Sequence, residues 1–235
     1  GGPVTTIAQT GNMIMRQGVP IGFLESVGPK SLNESGTAAF IGNLNMGERG
    51  IYTGTGSAVA TVVDTSMGIY AGGAVSLNDS GIVAFSGTIL SPTIGQGAGV
   101  FLSHNGTLSL LADSSGDFSD FGALDLNEDG DVVVMAVLDS GHVGLFIGAD
   151  PDLDRIIQTG DNLFGSVVTS LYQGGFPRIN DQQQVAFYYS LEDGRSGIAL
   201  AVPTTAVVPL PATIWLLGSG FLSYLGIGIS RLRTH

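Results

Sequence analysis

The chain has 235 residues, with 8 Lys and Arg against 20 Asp and Glu, a formal charge of −12 and no cysteine. Residues 1–202 hold all the acids and six of the bases, net −14, which argues against nucleic acid and anionic lipid as partners of that part and suits an exported protein that attracts cations. Disulfides, thiolate metal sites and cysteine nucleophiles are excluded, and 43% hydrophobic residues with 37 glycines point to short strands and tight turns rather than disorder.

In chain order, the start Gly-Gly-Pro lacks a Met and a basic-then-apolar leader, and reads as a processed or internal beginning. The segment TTIAQTG (5–11) then introduces an element that returns as ATVVDTS (60–66), SLLADSS (109–115) and RIIQTGD (155–161). Four further segments align without gaps: SLNESGTAAFIGNL (31–44), SLNDSGIVAFSGTI (76–89), DLNEDGDVVVMAVL (125–138) and RINDQQQVAFYYSL (178–191). Their asparagines, Asn33, Asn78, Asn127 and Asn180, lie 45, 49 and 53 residues apart. Each copy is followed by a Gly-apolar segment: GIYTGTG at 50, GVFLSHNG at 99, GLFIGAD at 144 and GIALAVP at 197. Three signals in one order, four times, make a tandem repeat.

Within a copy, the Asn-acid-polar-Gly stretch predicts a turn. Asn side chains mimic backbone bonds there, and Gly36, Gly81 and Gly130 accept positive φ. Gln183 stands in the glycine place of the fourth copy, so that turn is expected to be the least regular. The run after each turn alternates with period two. One face carries Ala38, Val83, Val132 and Val185, then Phe40, Phe85, Val134 and Phe187, and the other carries Ala39, Ala84, Val133 and Ala186. A strand apolar on both faces lies between other layers. Three or four short strands in about 50 residues is the arithmetic of a propeller blade. The expected fold is therefore all-β: a four-bladed β-propeller, or a fragment of a larger one, over residues 1–202. The chain opens with the 5–11 segment ahead of the first Asn copy and ends its repeats with a Gly-apolar segment, so residues 5–11 are expected to pair with a strand near 197–202 and close the ring. The stretches 11–30 and 161–177 are expected to be the longest loops, where binding would be sought first.

The Asn-x-x-Gly-x-x-Ala-Phe core resembles the bacterial family of exported choice-of-anchor tandem repeat NxxGxxAF proteins over roughly residues 5–202. Copies one and two match in full; copy three has Val133-Val134 for Ala-Phe, and copy four lacks the Gly. The resemblance implies export and one of several C-terminal anchors, and no established activity.

After a Pro-rich linker (203–211), residues 212–230 carry no charge and are about the length needed to cross a bilayer as a helix. Trp215 stands near one edge, and Arg231 and Arg233 follow in the tail 231–235, which predicts a cytoplasmic C-terminus. The sequence Val208-Pro209-Leu210-Pro211-Ala212, the apolar span and the two arginines are together similar to the VPLPA variant of the PEP-CTERM sorting signal. That resemblance implies recognition by an exosortase, a membrane protease-transpeptidase of Gram-negative bacteria that make extracellular polysaccharide. The predicted location is the inner membrane before processing and the cell surface or extracellular matrix after it.

Candidate sites are few. Asp125, Asn127, Asp129 and Asp131 begin like a calcium loop, but Ala136 occupies the twelfth place, where an EF-hand needs Glu, so the turn is read first as structure and second as a calcium site. His104 and His142 lie in predicted turns outside any nucleophile or zinc motif. Four copies of one pattern favour architecture over catalysis, and no catalytic residue is assigned. Without a tryptophan in the repeats, Tyr52, Tyr70, Tyr172, Tyr188 or Tyr189 would have to stack on a sugar. The reading is an exported structural or binding protein, without catalysis or cofactor, whose partners are an exosortase and matrix polysaccharide or another surface protein. The alternative is a secreted hydrolase, or a calcium- or carbohydrate-binding propeller, with its site in the central channel or long loops.

Overall fold

The structure, a computed structural model, describes residues 2–56, 58–95, 97–172 and 175–203. The sorting motif, the span 212–230 and the basic tail lie outside the described residues. Gly1–Val202 forms one compact unit.

Among the described residues the regular structure is strand, apart from a single 3-10 turn at Thr65–Met67. Each repeat builds one antiparallel sheet. The first contains β1 (Met13–Arg16), β2 (Val19–Leu32), β3 (Ala38–Leu44), β4 (Arg49–Gly54) and β5 (Val59–Asp64), paired in that order. The second contains β6 (Ile69–Leu77), β7 (Val83–Ile89), β8 (Ala98–His104) and β9 (Thr107–Asp113). The third contains β10 (Phe118–Leu126), β11 (Val132–Leu138), β12 (Val143–Ile147) and β13 (Arg155–Gln158). In the fourth, β14 (Asn162–Leu163) pairs with β15 (Ser166–Ser170). Both β15 and β16 (Arg178–Ile179) pair with one edge of β17 (Val185–Leu191), and β18 (Ser196–Ala201) pairs with the other.

The motif turn is the same in every sheet. The Asn N–H donates to the carbonyl four residues on, and the residue in the Gly place donates back to the Asn carbonyl, at 3.0 and 3.1 Å in the first copy. The glycines sit at φ 80, 79 and 93° for Gly36, Gly81 and Gly130, as this turn requires. The fourth turn is not the irregular one expected. Gln183 enters the left-handed region at φ 56° and makes the same bond at 2.9 Å. That conformation costs about 1–2 kcal/mol, and its Nε2 gains a bond to Asp131 Oδ2 at 3.0 Å.

Burial on both faces of the middle strands follows from the stacking of the sheets. Ala39, Ile41 and Ile51 of the first sheet pack on Leu77, Phe85 and Phe101 of the second. Ala84 and Val100 of the second pack on Val132, Val134 and Phe146 of the third. Val133, Met135 and Leu145 of the third pack on Ile179, Val185 and Phe187 of the fourth. Each such ring, fully buried, contributes about 1.5–3 kcal/mol. The glycine that opens each Gly-apolar segment is explained here, because in the first three sheets the ring two residues later lies over it. A Cβ on Gly144 would meet Phe146 Cζ at 2.7 Å, and one on Gly50 would meet the Tyr52 hydroxyl at 2.8 Å. In the fourth sheet Ala199 replaces that ring, and Tyr189, opposite Gly197 on β17, covers the glycine instead.

The expected ring closure is not formed among the described residues. Residues 5–11 make no strand; Ile7 and Ala8 stay on the first sheet, covering Phe40, Leu44 and Tyr52 together with Ile14. The first expected loop, 11–30, is largely sheet, and the second, 161–177, forms a hairpin as far as Ser170. Gln17–Gly18 and Phe164–Gly165, with φ of 49, 80, 52 and 83°, turn β1–β2 and β14–β15 into tight hairpins. Two positive φ values in succession mark the turn whose twist matches paired strands, and neither Gln-Gly nor Phe-Gly advertises it as Asn-Gly does.

Candidate functional site

The motif turns stand side by side and are joined by a repeated set of bonds. Asn33 Nδ2 donates to the carbonyl of Asn78 at 3.1 Å, Asn78 Nδ2 to that of Asn127 at 3.1 Å, and Asn127 Nδ2 to that of Asn180 at 3.2 Å. The next residue adds a second rail: Glu34 N–H donates to Asp79 Oδ1 at 2.6 Å, Asp79 N–H to Glu128 at 2.9 Å and Glu128 N–H to Asp181 Oδ1 at 2.9 Å. Each Asn Oδ1 meanwhile accepts the N–H four residues on, at 2.8 to 2.9 Å. Asparagine is needed because one end must accept within the turn while the other donates to the neighbour; Asp lacks the donor.

Two residues before each Asn, the inner strands converge on a groove of about 440 Å³ bordered by β2, β6, β10 and β16. The residues at that place are Ser31, Ser76, Asp125 and Arg178, so the groove's chemistry changes while the joint beside it does not. Asp125 is buried, with Oδ1 accepting from Ser76 Oγ at 3.0 Å and Oδ2 from the Ile179 N–H at 3.2 Å. Arg178 Nη1 lies 3.4 Å from Asp125 Oδ1, and its side chain is 69% exposed. Lys30 and the exposed Phe176 complete the wall. Among the described residues Arg16, Arg155, Arg178 and Arg195 make ion pairs, and Lys30 makes none. The groove thus carries two cations against one carboxylate on an otherwise acidic unit. Its signal was present in the first column of the aligned copies, which changes from Ser to Asp to Arg.

The predicted calcium ligands are not brought together. Asp125 turns into the groove; Asn127 is used in the joint; Asp131 Oδ2 accepts from Asn127 Nδ2 and Gln183 Nε2, both at 3.0 Å; and Asp129 stays exposed. Among the described residues no group of three or more His, Asp or Glu side chains is placed to hold a metal ion. Of the predicted stacking tyrosines, Tyr52 is fully buried, and its hydroxyl has no hydrogen-bond partner among the described residues. Burial first, and then the Asp64 and Glu48 charges, push its pKa well above the ordinary value. Tyr70 carries the Arg49 guanidinium 5.3 Å from its ring centre, Tyr189 packs on Phe164, and Tyr188 bonds Ser190. Tyr172 is exposed. His104 contacts Asn105 and His142 contacts Thr159, both outside the groove. In the segments 60–66 and 109–115, Asp64 and Asp113 accept from the Ser66 and Ser115 N–H groups, which gives those acids a structural role at a strand end.

No family model matches the chain, and no curated protein matches it. Among solved structures it is similar to a chain described as "YCF48 bound to D1 peptide", with 12% identity and a TM-score of 0.31 over 65% of this chain. The aligned part spans 44% of that structure's chain.

Proposed function

We propose that this chain is an exported, non-catalytic binding protein, an open propeller-like array that presents a groove at the cell surface or in the extracellular matrix. The observation that carries the reading is a division of labour inside the repeat. The Asn and acid positions join each sheet to the next by the same bonds, while the position two residues before the Asn lines the groove, varies from Ser to Asp to Arg and bonds the neighbouring sheet differently in each copy, Ser31 to Leu77, Ser76 to Asp125 and Asp125 to Ile179. That is how a scaffold with an adjustable binding wall is built. Lys30 and Arg178 suit an anionic ligand such as an acidic matrix polysaccharide, with Phe176 as an apolar platform. Delivery rests on Val208–Ala212, the uncharged span and Arg231 and Arg233, read as an exosortase substrate with the span as a transient membrane handle.

The test is to express the full chain in a bacterium with a matching exosortase and to measure the mass and the polysaccharide binding of the surface-released form. The expected product ends near Val208–Ala212 and binds the host's acidic polysaccharide, and it loses that binding in a Lys30→Ala, Arg178→Ala variant. A released form with His235 intact overturns the sorting, and equal binding by the variant overturns the groove.

A further inference from the structure

We infer that the fourth sheet docks on the first sheet of a second copy of this chain, head to tail, so that the ladder of turns runs from one molecule into the next. The three joints within the chain share one chemistry with a direction. The donor side of each offers an Asn Nδ2, an acid N–H and a fully buried apolar residue after the glycine of the Gly-apolar segment: Ile51, Val100 or Leu145. The acceptor side offers an Asn carbonyl, a carboxylate and a buried apolar residue before the Asn: Leu77, Leu126 or Ile179.

The fourth sheet has a complete donor side with nothing opposite it among the described residues. Ile198, the counterpart of Ile51, is 72% exposed and Leu200 59%. Asn180 Nδ2 is folded back on Gln184 at 3.0 Å, and Asn180 is exposed where Asn78 and Asn127 are buried. The first sheet has the matching acceptor positions at its turn, also unfilled among the described residues. Leu32, the counterpart of Leu77, is 66% exposed, and the Asn33 carbonyl takes only the bond of its own turn from Gly36. The remainder of that face is closed by Ile7, Ala8 and Ile14, and this cover shows Met13, Met15 and Phe23 to solvent as an apolar surface. Two fourth sheets face to face would set donor against donor, and two first sheets would set Glu34 against Glu34. Head-to-tail contact supplies each missing partner. The inference is independent of export and of any ligand in the groove.

The chain lacks cysteine, so introduced thiols report on this contact alone. Within the molecule, acid positions of adjacent turns lie within hydrogen-bond reach, as between Glu34 and Asp79, so the same positions across two copies are placed for a disulfide. Full-length Glu34→Cys and Asp181→Cys proteins, in detergent, are mixed and oxidised. The expected result is a disulfide dimer in the mixture and in neither protein alone. That dimer is lost when Ile198→Lys is added to the Asp181→Cys partner, with the thermal unfolding midpoint of the reduced, dilute monomer unchanged, because Ile198 is in solvent there. Dimers in either single population would mean that like faces pair. A crosslink inside one chain of the double variant would mean ring closure, and absence of crosslinks would mean no such contact. Each of these overturns the inference.

Discussion

Replacing Asn78 by Asp probes the joint between the second and third sheets with a change of one atom type. Asn78 is 2% exposed; its Oδ1 accepts from the Ile82 N–H at 2.8 Å and its Nδ2 donates to the Asn127 carbonyl at 3.1 Å. Asp keeps the first bond and loses the second. A neutral buried bond is worth about 0.5–1.5 kcal/mol, and a buried carbonyl left short of a donor costs about 1–3 kcal/mol. The Asn127 carbonyl retains the longer bond from Gly130 at 3.3 Å, which moderates the second term. Asn78→Asp should therefore destabilise by about 2–4 kcal/mol, or about 4–16 °C for a unit of this size. The control is Asn180→Asp, where Nδ2 reaches only Gln184 within the same turn, and it should cost under about 1 kcal/mol. Thermal unfolding followed by circular dichroism at neutral pH measures both. The deficit should also depend on pH. The introduced carboxyl is buried beside carbonyl oxygens, so its folded pKa is raised above the unfolded value of about 3.9. Below that value it is protonated and donates again; stability is then lost as pH rises through the folded pKa. Equal losses at Asn78 and Asn180, or a deficit independent of pH, would refute the ladder as the element joining the sheets.

Gly81→Val should destabilise by about 1–3 kcal/mol in urea titration, because a Cβ there meets no neighbour and the whole cost is φ at 79°. Gly144→Ala should cost a similar amount for the opposite reason, a Cβ 2.7 Å from the Phe146 ring. Tyr52→Phe should be neutral, or stabilising by up to about 1 kcal/mol, since it removes a buried hydroxyl without a partner. The raised Tyr52 pKa contributes stability present below pH about 10 and lost as pH rises through the folded value, so Tyr52→Phe should unfold at higher pH in an alkaline titration. Added calcium should leave the melting temperature of the wild type and of Asp129→Ala unchanged; a rise in the wild type alone would restore Asp125, Asn127, Asp129 and Asp131 as a site.

The repeat boundaries, the turn at each Asn and the doubly buried middle strands were legible because each is a local consequence of residue type and period. The ladder was half legible: the alignment marked Asn33, Asn78, Asn127 and Asn180 as turn residues, but a bond from one turn to the next spans 45 to 53 residues and leaves no period to read. Strand β1 and the β14–β15 hairpin were missed because Gln17 and Phe164 adopt positive φ in places where sequence favours Asn or Gly. The expected closure through residues 5–11 failed for a tertiary reason. The first sheet has its own apolar face to cover, and Ile7 and Ala8 lie on it. The groove escaped a motif search because its lining is defined by difference between copies, whereas a search for repeats rewards identity.

One consequence of the shared joint concerns how such a chain grows. The separations of 45, 49 and 53 residues are bridged by the same pair of bonds, so the extra length is taken up away from the turns. A unit duplicated within the array would meet both neighbours through chemistry already present, leaving the first and fourth sheets as they are. It would also extend the groove by one more position, whose residue has to suit both the groove and a bond to the next sheet, as Ser31, Ser76 and Asp125 do. Array length can therefore change by gene duplication alone, whereas groove charge changes by substitution at the places of Ser31, Ser76, Asp125 and Arg178 only together with the bonds those side chains make to the neighbouring sheet.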